Sequence, residues 1–231
     1  MKIEILYPEF CNLNGDLANI KYIKKCIDDL EVIETSINDE PSFINDEIAL
    51  VYMGTLSENS QEIVINRLKK YTDIIKDKIE NNQLFLFTGN AIEVFGKYIE
   101  NEDGTKIEAL GIFDVYARRD MMHRHNSFFL GKYKELEILG FKSQFTMLYG
   151  DNSNEYFIEV EKGIGINKES KLEGISKNRF FATYLIGPFL ILNPLFTLKL
   201  LEMMGVKESN LAYNNEIIEA YNVRLKKFKT L

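Results

Sequence analysis

Residues 84–96 read LFLFTGNAIEVFG. The opening run of large apolar residues predicts a strand that is covered on both faces, and the glycine after it predicts a sharp turn. Apolar residues at helical spacing then predict the start of an amphipathic helix. A strand, a tight turn and a helix in this order are typical of sites that raise a Ser or Cys side chain above a sheet. In this chain the residue at the apex of the turn is Gly89.

The same alternation of strand and helix is found on the amino-terminal side. Apolar runs predict strands over residues 2–7, 31–37 and 47–53. Helical periodicity predicts helices over residues 20–30, with Cys26 in the core, and over residues 59–81. This order indicates a doubly wound α/β fold with a mostly parallel sheet and helices on both faces. Because ligand sites in such sheets lie beyond the carboxyl ends of the strands, the loops after the strands that end near residues 7, 53 and 87 should meet at one crevice.

The second half of the chain shows a less regular pattern. Strands are predicted over residues 138–149, 155–160 and 179–186, and helices over residues 194–204 and 215–228. No long linker, repeat or low-complexity segment interrupts the chain. We therefore expect residues 1–231 to form a single domain.

Composition and charge exclude several classes of partner. The 35 acidic and 28 basic side chains are scattered along the chain and give a formal net charge of −7, so no basic field favours a nucleic acid. The first residues run into a strand pattern rather than a signal peptide, and no apolar window is long enough for a membrane span. Cys11 and Cys26 are too few for a disulfide framework or a cysteine-rich zinc site. We expect a cytoplasmic protein without a membrane segment, a metal or a cofactor.

Three segments resemble class I glutamine amidotransferases of the cobyric acid synthase (CobB/CobQ) and GatD type. Residues 6–20, LYPEFCNLNGDLANI, resemble the family's opening LYPDLLNIYGDRGNI. Residues 88–96, TGNAIEVFG, stand where the family has ICGGYQLLG, and residues 181–194, FATYLIGPFLILNP, are similar to GTYLHGPLLPKNP. Residues 140–144 and the loop at residues 52–55 occupy two further family segments that have diverged. The resemblance implies the flavodoxin-like fold of the class I amidotransferases.

The resemblance also implies that both catalytic side chains are replaced. In this register Gly89 takes the place of the nucleophilic cysteine, Glu93 that of a glutamine, and Ile186 that of the catalytic histidine. Glutamine hydrolysis needs a thiolate to attack the amide and a histidine to carry the proton. Since glycine and isoleucine provide neither group, the sequence predicts a catalytically degenerate domain.

Several polar residues near the predicted crevice are candidates for other roles. Thr88 adjoins the turn, Cys11 lies in the first crevice loop, and His123 and His125 stand two residues apart, as a metal-binding pair on a strand would. The structural interpretation is favoured for each: a packed hydroxyl, a small apolar residue, and a surface pair without an acidic partner. Arg118 and Arg119 are interpreted as solvated charges. The crevice candidates are Asn14, Asp16, Gly54, Thr55, Thr88, Asn90 and Gln144.

Three functions stay open at this point. The favoured one is a pseudoenzyme that keeps the fold for binding a ligand or a partner protein, which the resemblance suggests is a Mur-ligase-like synthetase subunit. The second is an active glutaminase subunit of a GatD-like complex that amidates a cell-wall precursor. The third is an enzyme with a repurposed crevice that uses Cys11, Asp16 or the histidine pair.

Overall fold

The computed structural model describes residues 1–230 as a mixed α/β protein. Fourteen strands lie in this part of the chain: β1 Lys2–Leu6, β2 Glu31–Thr35, β3 Leu50–Met53, β4 Phe85–Thr88, β5 Tyr98–Glu100, β6 Lys106–Glu108, β7 Val115–Arg119, β8 His125–Tyr133, β9 Leu136–Gln144, β10 Thr146–Gly150, β11 Ile158–Lys162, β12 Leu172–Glu173, β13 Ile175–Lys177 and β14 Phe180–Thr183. The α-helices are α1 Ala18–Cys26, α2 Glu58–Leu68, α3 Thr72–Glu80, α4 Phe189–Leu192, α5 Pro194–Met203 and α6 Asn214–Thr230. Short 3-10 helices cover Ser42–Ile44, Lys69–Tyr71 and Gly89–Phe95.

The main sheet has six strands in the order β13-β14-β4-β3-β1-β2. All neighbours in it are parallel except β13, which pairs with β14 in the antiparallel sense. The side chains of β4 alternate between two apolar cores: Phe85 and Phe87 pack on one face, and Leu86 packs on the other. This explains the uninterrupted apolar run and confirms the predicted α/β fold with a mostly parallel sheet.

The less regular second half of the chain forms most of two four-stranded sheets. Their orders are β10-β7-β5-β6 and β12-β11-β8-β9, with all pairs antiparallel except β5 with β7. The single strand predicted over residues 138–149 is wrong, because β9 and β10 lie in different sheets and Phe145 separates them. The strands predicted over residues 155–160 and 179–186 are found as β11 and β14, with shifted bounds.

Two of the predicted helices differ from the observed ones in kind and not only in their bounds. The helix predicted over residues 59–81 is divided into α2 and α3 by a 3-10 turn. The helix predicted after Gly89 is a 3-10 helix rather than an α-helix. Its last carbonyls are taken by the following loop: Val94 O accepts from Leu110 N, and Phe95 O accepts from two amides of residues 112–113. With those acceptors occupied by another segment, the helix does not continue past Gly96.

The first helix ends earlier than the predicted range of residues 20–30. Helix α1 ends at Cys26, and that side chain is only half-buried, so its predicted place in the core is corrected to the core's edge. Within residues 1–230, none of the helices combines the length and the apolar character that a membrane crossing requires.

Candidate functional site

The carboxyl ends of β1, β3 and β4 meet around a cavity of about 70 Å³. The loop after β1 is joined to the loop after β3 by a hydrogen bond from Leu13 N to Thr55 O. The loop after β3 is joined to the turn after β4 by Asn90, which accepts from Leu56 N at 2.8 Å and donates to Leu56 O at 2.9 Å. The residues that line the cavity are Leu13, Asn14, Thr55, Leu56, Glu58, Gly89, Asn90, Glu93, Arg124, Ser143, Gln144, Phe145, Thr146 and Tyr184.

Gly89 sits at the turn with no room for a side chain. Its φ of +65° lies in the left-handed region, which glycine adopts without the strain that a Cβ would bring. A Cβ at this position would lie 2.2 Å from Thr55 Oγ1 and 2.9 Å from Thr55 Cβ. The side chain of Thr55 thus fills the space into which a residue at position 89 would project.

Asp16 anchors Thr55 from beneath the cavity. Its carboxylate is fully buried and accepts from Thr55 Oγ1 at 2.9 Å, from Thr88 Oγ1 at 3.2 Å and from Asn14 N at 3.0 Å. Thr88 also shares a 2.9 Å hydrogen bond with the hydroxyl of Tyr52. Two of the predicted candidates, Asp16 and Thr88, are therefore parts of a hydrogen-bonded support behind the cavity wall.

Gly54 allows this support to pack closely against β3. A Cβ on Gly54 would lie 2.4 Å from both Asp16 Cβ and Cys11 O. Of the seven predicted crevice candidates, Asn14, Thr55, Asn90 and Gln144 line the cavity itself, whereas Asp16, Gly54 and Thr88 lie behind it.

Glu93 is a buried acid that the sequence identified only as a replacement in the family motif. Its carboxylate accepts from Gln61 Nε2 at 2.8 Å and from Tyr184 OH at 3.0 Å. Burial raises the pKa of Glu93 from its ordinary value of 4.5 to about 7, and these two hydrogen bonds and the positive charge of Arg119 lower the pKa only in part. Burial also raises the pKa of the Tyr184 phenol. The signal in the sequence was an acid inside an otherwise apolar segment.

Gln144 lies on the opposite wall, at the end of β9. Its side chain is 6% exposed, and its Nε2 donates to Thr146 O at 2.7 Å. Its Oε1 is buried and has no hydrogen-bond partner. Since a backbone carbonyl only accepts, the amide nitrogen must face Thr146, and the unpartnered atom is the oxygen.

Ile186 lies outside the set of residues that line the cavity. It is half-buried, and its backbone N–H donates to Phe141 O at 3.0 Å. The adjacent Leu185 O accepts from Gly89 N at 3.4 Å. The backbone around position 186 therefore borders the turn at Gly89.

The remaining candidates do not assemble into a second catalytic or metal site. Cys11 is buried, and burial raises the pKa of its thiol well above the ordinary range, so it carries little thiolate. His123 lies in an exposed turn and bonds to Asp120 at 2.8 Å, so the expectation of no acidic partner was wrong. His125 begins β8 and bonds to Ser127 at 3.0 Å. Among residues 1–230 there is no group of three or more potential metal ligands of the His, Cys, Asp or Glu type.

Arg119 differs from its predicted role as a solvated charge. It is half-buried, and its guanidinium donates to Gln61 Oε1 at 2.8 Å and to Asn101 Oδ1 at 2.9 Å. Through Gln61 it is joined to Glu93, so β7 is linked to the cavity wall. Arg118 is exposed, as predicted.

Comparison with solved structures shows which known fold the chain shares. The chain superposes on a glutamine amidotransferase crystal structure with a TM-score of 0.59 at 12% identity, covering 88% of this chain and 100% of that one. A glutamine amidotransferase from Thermotoga maritima gives a TM-score of 0.52 at 11% identity, covering 99% of this chain and 85% of that one. The fold is that of the glutamine amidotransferases.

Comparison with curated proteins finds relatives that are more similar in sequence than these structures. The chain is 28% identical over 193 residues to the GatD subunit of lipid II isoglutaminyl synthase (glutamine-hydrolyzing) from Staphylococcus aureus strain N315, covering 83% of this chain and 79% of that protein. It is 24% identical over 203 residues to the subunit of the same name from Streptococcus pneumoniae R6, covering 84% and 76%. No protein-family model matches the chain. The chain is thus a glutamine amidotransferase-like protein similar to GatD.

Proposed function

We propose that this chain is a catalytically degenerate glutamine amidotransferase-like domain, formed by residues 1–231 as a single unit, which serves as a non-hydrolytic binding or partner subunit. One observation carries the proposal. The resemblance of residues 88–96 to the family motif places Gly89 at the nucleophile position, and the hydroxyl of Thr55 lies 2.2 Å from where the Cβ of any side chain at position 89 would be. Position 89 thus supplies no thiolate, and the space into which a side chain there would project is filled.

Two further features support the loss of hydrolysis. Ile186, which the resemblance of residues 181–194 places at the position of the family's histidine, has no group that carries a proton. The cavity of about 70 Å³ is roughly half the size of a cavity of about 150 Å³ that binds benzene. A glutamine molecule would fit only if the cavity widened.

The two curated relatives suggest the kind of partner. Both are named as subunits of lipid II isoglutaminyl synthase, so each belongs to an assembly. By extension, we propose that this chain binds a Mur-ligase-like synthetase subunit in the cytoplasm and contributes to cell-wall precursor metabolism in a structural or regulatory role. Co-expression with such a protein encoded by a neighbouring gene, followed by size-exclusion chromatography, tests this. Separate elution at micromolar concentrations would contradict it.

The alternative function is a working glutaminase subunit of a GatD-like complex. The similarity to two GatD subunits over more than four fifths of this chain favours it. Under this alternative a nucleophile other than position 89 would be needed, and the hydroxyl of Thr88 and the thiol of Cys11 are both buried.

Ammonia release from glutamine separates the two functions. Purified chain, alone and with its partner, is expected to give no more ammonia than a heat-denatured sample. A glutamine-hydrolysing amidotransferase assayed in parallel shows that the conditions support catalysis. Ammonia release that follows the chain through two purification steps would establish the alternative and refute the proposal.

A further inference from the structure

One of the side chains that line the cavity beside Gly89 has an unused hydrogen-bond acceptor. Gln144 Oε1 is buried and unpartnered, and its orientation is fixed by the bond from Nε2 to Thr146 O. A buried carbonyl oxygen without a donor is rare in folded proteins because its desolvation is not compensated. A donor that enters the cavity from solution would compensate it.

The charges that line the cavity favour a positive donor. Glu58 and Glu93 both line it, and the direct partners of the Glu93 carboxylate are the neutral groups of Gln61 and Tyr184. Arg124 is the cation among the lining residues, and its guanidinium lies 4.4 Å from the centroid of the Phe145 ring. With its pKa raised to about 7, Glu93 is partly ionised at neutral pH, and a cation beside it would favour the carboxylate.

The size of the cavity limits what the donor can be. A volume of about 70 Å³ is roughly half that of a cavity of about 150 Å³ that binds benzene, so a ligand smaller than benzene is favoured. An ammonium ion has the size of a water molecule and donates hydrogen bonds in every direction. Acceptors for its remaining hydrogens come from the hydroxyl oxygens of Thr55 and Ser143, which also line the cavity.

We propose that this cavity binds a small cationic N–H donor, namely an ammonium ion or the head group of a compact primary amine such as methylammonium, between Gln144 and Glu93. The inference rests on the proposed non-hydrolytic function, since it gives the degenerate site a ligand of its own.

The experiment compares cations at constant ionic strength. Thermal unfolding of the full chain is followed while sodium chloride is replaced by ammonium, methylammonium, potassium or tetramethylammonium chloride. We expect a saturable rise in melting temperature with ammonium and methylammonium, and none with tetramethylammonium, which has no N–H. An equal rise with potassium, a similar-sized cation without hydrogens, would overturn the proposal, as would the absence of any ammonium-specific rise.

Variants test which residues hold the ligand. Gln144→Met keeps the bulk but removes the acceptor, and it is expected to weaken ammonium binding tenfold or more, as the loss of a hydrogen bond to a charged group does. Gln83→Met, at a half-buried glutamine away from the cavity, is the matched control and should bind as the native chain does. Glu93→Gln provides a second test that keeps the shape of the side chain. Native affinity in both folded cavity variants would refute the site.

The outcome of the ammonium-binding experiment can be distinguished from the outcome of the glutaminase assay. Ammonia release from glutamine would refute the non-hydrolytic function whether or not ammonium stabilises the chain. A chain that neither hydrolyses glutamine nor responds specifically to ammonium would refute only the ligand.

Discussion

Replacing Gly89 with alanine measures how completely Thr55 fills the turn. A non-glycine residue in the left-handed region is strained by about 1–3 kcal/mol. The new Cβ would also lie 2.2 Å from Thr55 Oγ1, and overpacking of this kind costs about 1–3 kcal/mol more. We expect Gly89→Ala to lower the free energy of unfolding by about 2–6 kcal/mol. In a chain of this length each kcal/mol corresponds to roughly 2–4 °C in melting temperature.

Gly111 offers the matched control. Its φ of +62° is close to that of Gly89, but a Cβ there would have no atom within 4 Å. Gly111→Ala therefore reports the backbone strain alone, about 1–3 kcal/mol. The difference between the two variants is the contribution of the overlap with Thr55.

Urea unfolding followed by far-ultraviolet circular dichroism gives both free energies. A double-mutant cycle completes the test: in a Thr55→Gly background, the Gly89→Ala change should cost about 1–3 kcal/mol less than in the native chain. Equal costs at positions 89 and 111, or a cycle without coupling, would show that Thr55 does not occupy this space.

Three further outcomes are expected. The double variant Gly89→Cys with Ile186→His should remain without glutaminase activity, since Thr55 blocks the new side chain; turnover at a normal enzyme rate would contradict the degenerate site. The pKa of Glu93 is raised to about 7 in the folded chain, so its contribution to the free energy of unfolding should fall by up to about 3 kcal/mol as pH rises from 4.5 through about 7. Glu93→Gln should flatten that part of the pH profile of stability measured with urea. Lys142 is fully buried against Glu173, so Lys142→Met should destabilise the chain by about 3–5 kcal/mol in urea, and native stability would refute the pairing.

The sequence was sufficient to predict the five parallel strands of the main sheet, though not the antiparallel strand β13, because the signals of those five strands are local. The run of residues 84–87 is apolar throughout, since each face of β4 meets a core of its own, and glycine follows where the chain turns. The convergence of three loops at one crevice followed from the rule for parallel strands. These features depend on residues that are close together in the chain.

The features that the sequence did not predict depend on contacts between residues that are far apart in the chain. Residues 138–149 read as one strand, and only the pairing of β10 with β7 and of β9 with β8 separates them at Phe145. The helix after Gly89 is a 3-10 helix because residues 110–113 take its carbonyls. Thr55 and position 89 lie in two loops that are separated in the chain by α2, α3 and β4, and no sequence pattern indicates their contact.

Because Thr55 contacts the space at position 89, the effect of a substitution at either position depends on the residue at the other. While Thr55 is present, any side chain at position 89 meets it, and when Thr55 is shortened first, the buried carboxylate of Asp16 loses a hydrogen-bond donor. Neither change is neutral as a first step. A lineage that carries this pair can acquire a side chain at the turn only by changing both residues nearly together, so the present pair of residues is expected to persist.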